Sequence, residues 1–171
     1  MQTEQRIESV LVVVPPRLLL LDIAGPIEVL RKVNQIQDTV RFDIRYVGPA
    51  PSIESSIGLG LYGIAELPEQ VDENALVLLA GNVTTVLGPG TGTDPSADDA
   101  MEEEIVDWLR RCVGAQQRLV CICNGAFYAA RAGLLDGREC TTHHSCTAEL
   151  QAFAPQARVL ENRIFVEDGT C

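Results

Sequence analysis

The sequence predicts a three-layer α/β sandwich, in which a mostly parallel β-sheet carries helices on both faces. Three short apolar runs, residues 9–14, 75–80 and 119–123, have the uncharged, β-branched character of strands that are buried on both sides. Segments with helical spacing separate these runs, and such alternation is typical of parallel sheets whose crossovers are helices. The chain has 171 residues, of which 46% are hydrophobic, and this is enough to bury one core as a single domain.

The first half of the chain contains two of the predicted strands, a helix and a hairpin. After the strand at residues 9–14, a helix is predicted over residues 27–33, with Pro26 in its first turn. Residues 42–47 alternate between apolar and polar side chains, which indicates a second strand. Residues 52–64 place three glycines between short apolar stretches, and this pattern favours a small hairpin.

The second half begins with the apolar strand at residues 75–80 and continues with mixed elements. The strand at residues 119–123 runs directly into a helix, without a connecting loop. The other predicted elements are a surface loop over 88–99, an amphipathic helix over 100–113, a helix over 125–132, a helix over 147–153 capped by Ser145, strands over 157–160 and 163–166, and a turn at Asp168 and Gly169.

The charge balance argues against direct contact of this domain with DNA or with an anionic membrane. The chain has 13 basic and 24 acidic residues, a net charge of −11, and no cluster of Lys and Arg that could displace counterions from phosphate. The N-terminus is polar and lacks the apolar core of a signal peptide, and no apolar run is long enough to cross a bilayer. We therefore expect a cytoplasmic protein that needs no membrane.

Six cysteines occur in the sequence, and the cytoplasmic location predicts that they are reduced. A zinc site is not expected, because Cys121 and Cys123 are separated by one residue and no C-x-x-C pair is present. Most of the thiols are interpreted as small buried hydrophobic groups. No metal and no cofactor are predicted.

Cys123 is the strongest candidate for a chemical role. It lies where a strand passes straight into a helix, and such a turn forces an uncommon backbone conformation and exposes the side chain. The nearby helix N-terminus is expected to favour the thiolate. The backbone N–H of Asn124, together with that of Gly81 or Asn82, could bind an oxyanion.

Asp22 and the two histidines are the possible partners of this cysteine. Asp22 interrupts an apolar run, and burial would raise its pKa, so that it could hold and pass a proton. Alternatively, it caps the helix that follows. His143 or His144 could lie beside Cys123 as a base or partner, or either could be structural.

These residues lie in segments that resemble the ThiJ/PfpI superfamily, which has the class I glutamine amidotransferase-like, flavodoxin-like fold. The segments are 21–30, 76–82 and 121–144, the last of which contains a Thr-Thr-His motif. The sequence of residues 157–169 resembles that of the corresponding segment in the N-terminal domain of AraC-type transcriptional regulators. The resemblance covers nearly the whole chain.

The resemblance implies a role for each site residue. The elbow cysteine of the superfamily corresponds to Cys123, the acidic partner to Asp22, the oxyanion-side glycine to Gly81, and the motif histidine to His143. It further implies a homodimeric sensor domain that binds a small, often nitrogen-containing metabolite, with DNA bound by a downstream helix-turn-helix domain. The alternative is a cysteine-dependent enzyme, such as an isonitrile hydratase or a small amidase, in which Cys123 attacks and Asp22 shuttles the proton.

The sequence departs from the family pattern at several places. Residues 1–171 contain neither the helix-turn-helix region nor the last strand and helix of the sensor, and we expect a longer natural chain. Asn124 follows the cysteine where hydratase-like members tend to have a smaller or hydroxyl residue, and His144 stands where many relatives carry an aromatic residue. The downstream His-x-Glu of the amidotransferase triad is missing. These departures argue against enzymatic turnover more than against the fold, and the similarity of residues 157–169 to the regulators favours the sensor.

Overall fold

The structure is a computed structural model that describes residues 5–87 and 95–170. The strands are β1 (Arg6–Val13), β2 (Val40–Val47), β3 (Ser52–Glu54), β4 (Gly60–Tyr62), β5 (Leu76–Leu79), β6 (Arg118–Cys121), β7 (Glu139–Cys140) and β8 (Arg158–Val159). The α-helices are α1 (Leu20–Ile36), α2 (Pro95–Cys112), α3 (Ala126–Arg131) and α4 (Thr147–Phe153). A 3₁₀ turn, Cys123–Gly125, connects β6 to α3.

Four parallel strands form the central sheet, in the order β2-β1-β5-β6. Val13 of β1 lies opposite both Val47 of β2 and Leu79 of β5. Leu79 in turn lies opposite Cys121 of β6. The carboxyl ends of the strands therefore meet at one edge, which is where α/β sheets generally place their functional groups. The predicted parallel sheet is confirmed.

Helices cover both faces of this sheet, and β1 shows how the sequence divides its side chains between the two sides. Leu11 and Val13 belong to a buried cluster with Trp108 of α2. Val10 and Val12 belong to a second cluster, which α1 covers. Because neighbouring side chains of a strand point to opposite faces, a strand that is buried on both sides needs an uninterrupted apolar run.

Two small sheets accompany the central one. β3 and β4 pair antiparallel and form the predicted hairpin, whereas β7 and β8 pair in parallel. In the described part of the chain, no helix combines the length and the apolar character needed to cross a bilayer.

Helix α1 begins earlier than the sequence predicts. It starts at Leu20 rather than at Pro26, so Pro26 lies inside the helix and has no N–H to donate to the carbonyl of Asp22. The additional N-terminal residues bury Ile23 in the sheet-facing cluster, and the Leu20 N–H donates to Ser56 Oγ at 3.4 Å. This tertiary packing offsets the missing hydrogen bond, and the spacing around Pro26 does not reveal it.

Helix α2 also begins earlier, at Pro95 rather than at residue 100. Proline is well suited to a first turn, because the N–H groups there have no acceptor within the helix. Asp98 adds a carboxylate to the same turn, which the helix dipole favours. The predicted loop over 88–99 is therefore wrong for residues 95–99, and residues 88–94 lie outside the described residues.

Three expectations near the C-terminus are corrected. Residues 163–166 do not form a strand, because they are mostly exposed and join no strand ladder of the described chain. The strand expected over 157–160 is reduced to β8. Ser145 does not cap α4: the N-cap is Cys146, and Ser145 Oγ instead lies 2.8 Å from Nδ1 of His143.

Candidate functional site

Cys123 lies in a sharp turn between β6 and α3. Its φ is +55°, a backbone conformation that costs about 1–3 kcal/mol in residues other than glycine. The Cys123 carbonyl accepts a hydrogen bond from Thr142 Oγ1 at 2.8 Å, and the N–H of Gly125 donates to the carbonyl of Ile122 at 2.9 Å. The elbow is thus held by contacts within the turn and from outside it. The part played by Thr142 was not predicted from the sequence.

Three of the candidate site residues converge on Gly81, which follows the end of β5. A methyl group added to Gly81 would lie 2.2 Å from Asn124 Oδ1 and 2.8 Å from Asp22 Oδ2. It would also lie 3.2 Å from Cys123 Cβ. Each separation is shorter than an ordinary van der Waals contact. The structure therefore brings the cysteine and the carboxyl into one cleft, and their close approach requires a glycine at this position.

Asp22 is buried in the first turn of α1, and its carboxyl binds the backbone of Gly81. Oδ2 accepts a hydrogen bond from the Gly81 N–H at 3.0 Å. Burial raises the pKa of Asp22, although this hydrogen bond and the charge of His143 act in the opposite direction. The N-cap of α1 is Leu19, and no side chain caps it. The alternative in which Asp22 caps a helix beginning at Pro26 is therefore wrong.

The pKa of the Cys123 thiol is raised above the ordinary value for cysteine. Burial is the largest cause; the backbone N–H of Asn124 opposes it, and the charges of Asp22 and Cys146 add to it. The net direction is opposite to the thiolate-favouring effect expected from the N-terminus of α3, a helix of 6 residues. The thiol is therefore mostly protonated at neutral pH.

The backbone amides on the β5 side of the cleft are engaged within the protein. The Gly81 N–H donates to Asp22, and the Asn82 N–H donates to Asn124 Oδ1 at 2.9 Å. Asn124 Nδ2 also donates to the Asn82 carbonyl at 3.0 Å. The backbone N–H of Asn124 is directed at the Cys123 thiol. The amides of Gly81 and Asn82, named above as possible oxyanion donors, thus already have acceptors.

A polar network that was not predicted from the sequence holds the side chain of Asn82 in place. Asn82 Nδ2 donates to Glu102 Oε1 at 2.8 Å and to the Tyr128 hydroxyl at 3.0 Å. Glu102 pairs with Arg131 at 3.2 Å and with Arg17 at 3.6 Å. Burial strongly raises the pKa of Tyr128, so its hydroxyl keeps its proton. These residues are distant in sequence, and no local spacing links them.

His143 lies at the mouth of the cleft. It lines the same cavity as Cys123, and its charge acts on Asp22. The side chain is exposed, and its Nδ1 lies 2.8 Å from Ser145 Oγ. The ring of His144 packs against it, with 4.2 Å between the ring centroids. Of the two histidines, His143 is therefore the one placed to contact a ligand beside Cys123.

Cys123 also lines a cavity of about 640 Å³ beside β6, the outer strand of the central sheet, whereas Asp22 and Gly81 lie outside the lining of that cavity. A volume of this size falls within the range of small-molecule sites, about 300–1,000 Å³. The lining combines apolar groups with polar groups at the elbow and includes Val120, Cys123, Thr142, His143, Ile164 and Phe165. Within residues 5–87 and 95–170, no three potential metal-binding side chains are grouped to hold an ion.

Several curated proteins are similar to this chain. An uncharacterized protein in the cpoL 5′ region of Streptomyces lividans is 32% identical over 146 residues, which cover 85% of this chain and 94% of that protein. The HTH-type transcriptional regulator GbdR of Pseudomonas aeruginosa is 28% identical over 156 residues, which cover 87% of this chain and 37% of the regulator. The isonitrile hydratase of Pseudomonas putida is 29% identical over 158 residues, which cover 90% of this chain and 62% of the enzyme. This chain thus spans less than two thirds of the regulator and of the hydratase.

A solved structure shares the fold. The crystal structure of an AraC family transcriptional regulator from Pseudomonas putida superposes with a TM-score of 0.70 and 21% identity, covering 95% of this chain and 80% of that one. At this identity, the likeness bears on the fold alone. The sequence pattern of the DJ-1/PfpI family matches residues 8–171. The chain therefore belongs to the DJ-1/PfpI family, as its resemblance to the ThiJ/PfpI superfamily predicted.

Proposed function

We propose that this domain is the ligand-sensing part of an AraC-type transcriptional regulator and that it binds a small metabolite in the cleft around Cys123. Nitrogen-containing metabolites are the first candidates. The observation that carries the proposal is that Cys123 and His143 line one cavity beside β6, while Asp22 lies close enough to both to interact with them electrostatically. A carboxyl, a thiol and an imidazole supply hydrogen-bonding groups of different charge within one apolar-walled cleft.

The hydrogen bonding of the cleft favours binding over turnover. Acyl-transfer enzymes stabilise the developing negative oxygen with preorganised N–H donors that are free to receive it. Here the amides of Gly81 and Asn82 are already bonded to Asp22 and Asn124. The raised pKa of Cys123 further limits the thiolate available for attack. Recognition of a ligand requires neither a free oxyanion donor nor a thiolate.

The similarity to GbdR supports the regulatory assignment, since that protein is named as a transcriptional regulator and this chain covers 37% of it. We propose that DNA is bound by a helix-turn-helix unit outside these 171 residues and that the protein acts in the cytoplasm, where it can reach DNA. The net charge of −11 agrees with a domain that leaves DNA contact to another part of the protein.

A thermal-shift screen of amine, amide and quaternary ammonium metabolites tests the sensing proposal, with isothermal titration calorimetry on the compounds that raise the Tm. A ligand at one hundred times its Kd adds about 2.7 kcal/mol to the free energy of unfolding. We expect this gain in the wild type and in the control Cys112→Ser, whose thiol bonds to the Glu69 carbonyl away from the cleft. Cys123→Ala and Asp22→Asn should lose most of it. Equal stabilisation of all four proteins would contradict binding in this cleft.

We also propose that the domain forms a homodimer, as the family resemblance implies. Large apolar side chains on α1 and on the β3–β4 hairpin are exposed, among them Leu21 (74%) and Tyr62 (83%). Such apolar surface often marks a contact with another chain. Light scattering coupled to size-exclusion chromatography should give twice the mass of the chain. A monomer across the whole accessible concentration range would contradict the proposal.

The second candidate function is that of a cysteine-dependent hydratase. It is favoured by the strained elbow at Cys123 and by the buried Asp22, whose raised pKa lets it hold a proton near the thiol. An aryl isonitrile incubated with the protein discriminates between the two functions, because a hydratase adds water to the isonitrile carbon and yields an N-aryl formamide. We expect no formamide above the buffer background. Turnover that is lost in both Cys123→Ala and Asp22→Asn would establish the enzyme instead.

A further inference from the structure

The carboxamide of Asn124 occupies both backbone polar groups of Asn82. Oδ1 accepts the Asn82 N–H at 2.9 Å, and Nδ2 donates to the Asn82 carbonyl at 3.0 Å. Nδ2 also donates to the side-chain oxygen Oδ1 of Asn82, at 3.3 Å. The pairing resembles the two hydrogen bonds that a neighbouring β-strand would make. While it persists, the Asn82 N–H cannot bind a carbonyl or carboxylate oxygen of a ligand.

The amide that Asn124 covers is held firmly in place. The side chain of Asn82 is bound by Glu102 and Tyr128, and Glu102 is itself paired with Arg131 on α3. A donor fixed in this way is preorganised, which is the property that makes an N–H group effective towards a developing negative charge. The missing side chain of Gly81 lets Asn124 Oδ1 reach the amide.

The covered amide lies beside the thiol. Asn124 directly follows Cys123, and Asn124 Oδ1 and Cys123 Cβ both approach Gly81, the residue before Asn82. A carbonyl group bound to Cys123 would therefore have its oxygen close to the position that Asn124 Oδ1 now fills.

We propose that Asn124 determines the specificity of this cleft, because its carboxamide takes the place of a ligand oxygen on the Asn82 amide and so prevents acyl transfer to Cys123. The inference rests on the proposed function in so far as it explains why the sensor would bind its ligand without converting it. Its chemistry is nevertheless testable on the domain with a synthetic ester, without the natural ligand.

Shortening the side chain of Asn124 should allow the acyl transfer to Cys123 that its carboxamide prevents. The Cys123 thiol first loses its proton to solvent, and the thiolate sulfur attacks the carbonyl carbon of p-nitrophenyl acetate. A C–S bond forms, and the carbonyl oxygen takes a negative charge that the freed Asn82 N–H stabilises. The C–O bond to the leaving group then breaks, p-nitrophenolate departs with the electron pair, and an acetyl thioester remains on Cys123.

The test compares acylation by p-nitrophenyl acetate with alkylation by iodoacetamide at Cys123, in the wild type, Asn124→Ala and Asn124→Ser. Alkylation depends on thiolate and access but creates no oxyanion, so the ratio of the two rates isolates the oxyanion donor. Loss of one such donor typically slows catalysis about 10²–10³-fold. We expect the ratio to rise by about 10²-fold in both variants, with one acetyl group on Cys123 by mass spectrometry.

Asn34→Ala is the matched control. The Asn34 carboxamide makes the same two-point pairing with the backbone of Phe42, at 2.8 Å and 2.9 Å, but its partner lies on β2. Its ratio should equal that of the wild type. A ratio within twofold of the wild type in both Asn124 variants, or an equal rise in Asn34→Ala, would overturn the proposal.

Amide measurements on the ¹⁵N-labelled wild type decide the matter if the Asn124 variants do not fold. The Asn82 N–H should be protected from hydrogen exchange, and its resonance should not move when acetate is added, because Asn124 already occupies it. Exchange at the rate of an open amide, or a shift with acetate, would overturn the proposal. Neither result depends on finding the natural ligand, so the screen for that ligand can fail separately.

Discussion

Gly81→Ala tests the close packing of the cleft with a single methyl group. The new Cβ would lie 2.2 Å from Asn124 Oδ1 and 2.8 Å from Asp22 Oδ2. Neither atom can retreat without losing a hydrogen bond, to Asn82 or to Gly81 itself. Overpacking of this kind costs about 1–3 kcal/mol, and a buried group left without its partner costs about 1–3 kcal/mol more.

The backbone of Gly81 does not itself oppose the substitution, because Gly81 is not among the residues with positive φ. At such a position, alanine would otherwise raise the free energy of unfolding by about 0.4–1 kcal/mol. The steric contributions are larger, and we expect a net loss of about 1–5 kcal/mol. The substitution should also change the rate at which iodoacetamide modifies Cys123, whose Cβ would lie 3.2 Å from the new methyl group.

Urea denaturation followed by circular dichroism measures the change in the free energy of unfolding. Gly114→Ala is the matched control, because a methyl group at that position would have no described atom within 4 Å apart from its own chain neighbours. Because the φ of Gly114 is not positive either, the control should gain about 0.4–1 kcal/mol over the wild type. Equal stability of Gly81→Ala and Gly114→Ala, with unchanged alkylation of Cys123, would refute the convergence of the three side chains on Gly81.

Three further predictions concern the elements around the cleft. Because burial raises the pKa of Asp22, the folded state keeps a proton that the unfolded state has lost above about pH 4. As the pH rises from about 4 through the higher pKa of the folded state, the free energy of unfolding of the wild type should therefore fall relative to that of Asp22→Asn. Urea titrations that show the same difference between the two proteins at every pH would contradict this prediction. Thr142→Val removes the hydrogen bond to the Cys123 carbonyl and should lower the free energy of unfolding by about 1 kcal/mol; no change in urea titration would mean that Thr142 does not hold the elbow. Gly25→Ala, inside α1, adds about 1 kcal/mol of helix propensity, but the residue before proline is disfavoured in helical conformation once it carries a Cβ, and Pro26 follows directly; the Tm should therefore not rise, and an increase would contradict this.

The local features of the fold were accessible from the sequence, because each depends on neighbouring residues. The apolar run of β1 predicted a strand buried on both sides, and its side chains do divide between two buried clusters. The direct passage of a strand into a helix predicted the elbow at Cys123, and the positive φ there is the physical consequence of so short a connection. The boundaries were less accessible: α1 begins at Leu20 because tertiary packing, not local spacing around Pro26, decides where it starts.

The contacts that define the cleft join residues far apart in the chain, and the sequence alone could not supply them. The Asp22 carboxyl and the Gly81 amide come from different segments, and their hydrogen bond exists only after β1 and β5 have paired. The carboxamide of Asn124 was expected only as a departure from the pattern of hydratase-like relatives. Its position on the backbone of Asn82 depends on the missing side chain of Gly81 and on Glu102 in α2.

The alkylation rate of Cys123 as a function of pH, in the wild type and in Asp22→Asn, tests the coupling of thiol and carboxyl most directly. Fragment-ion mass spectrometry separates Cys123 from Cys121. Burial and the charge of Asp22 raise the pKa of Cys123, so the wild-type midpoint should lie above that of a cysteine in an unfolded peptide, and Asp22→Asn should lower it. A wild-type midpoint at or below the peptide value, unmoved by Asp22→Asn, would contradict a shared cleft.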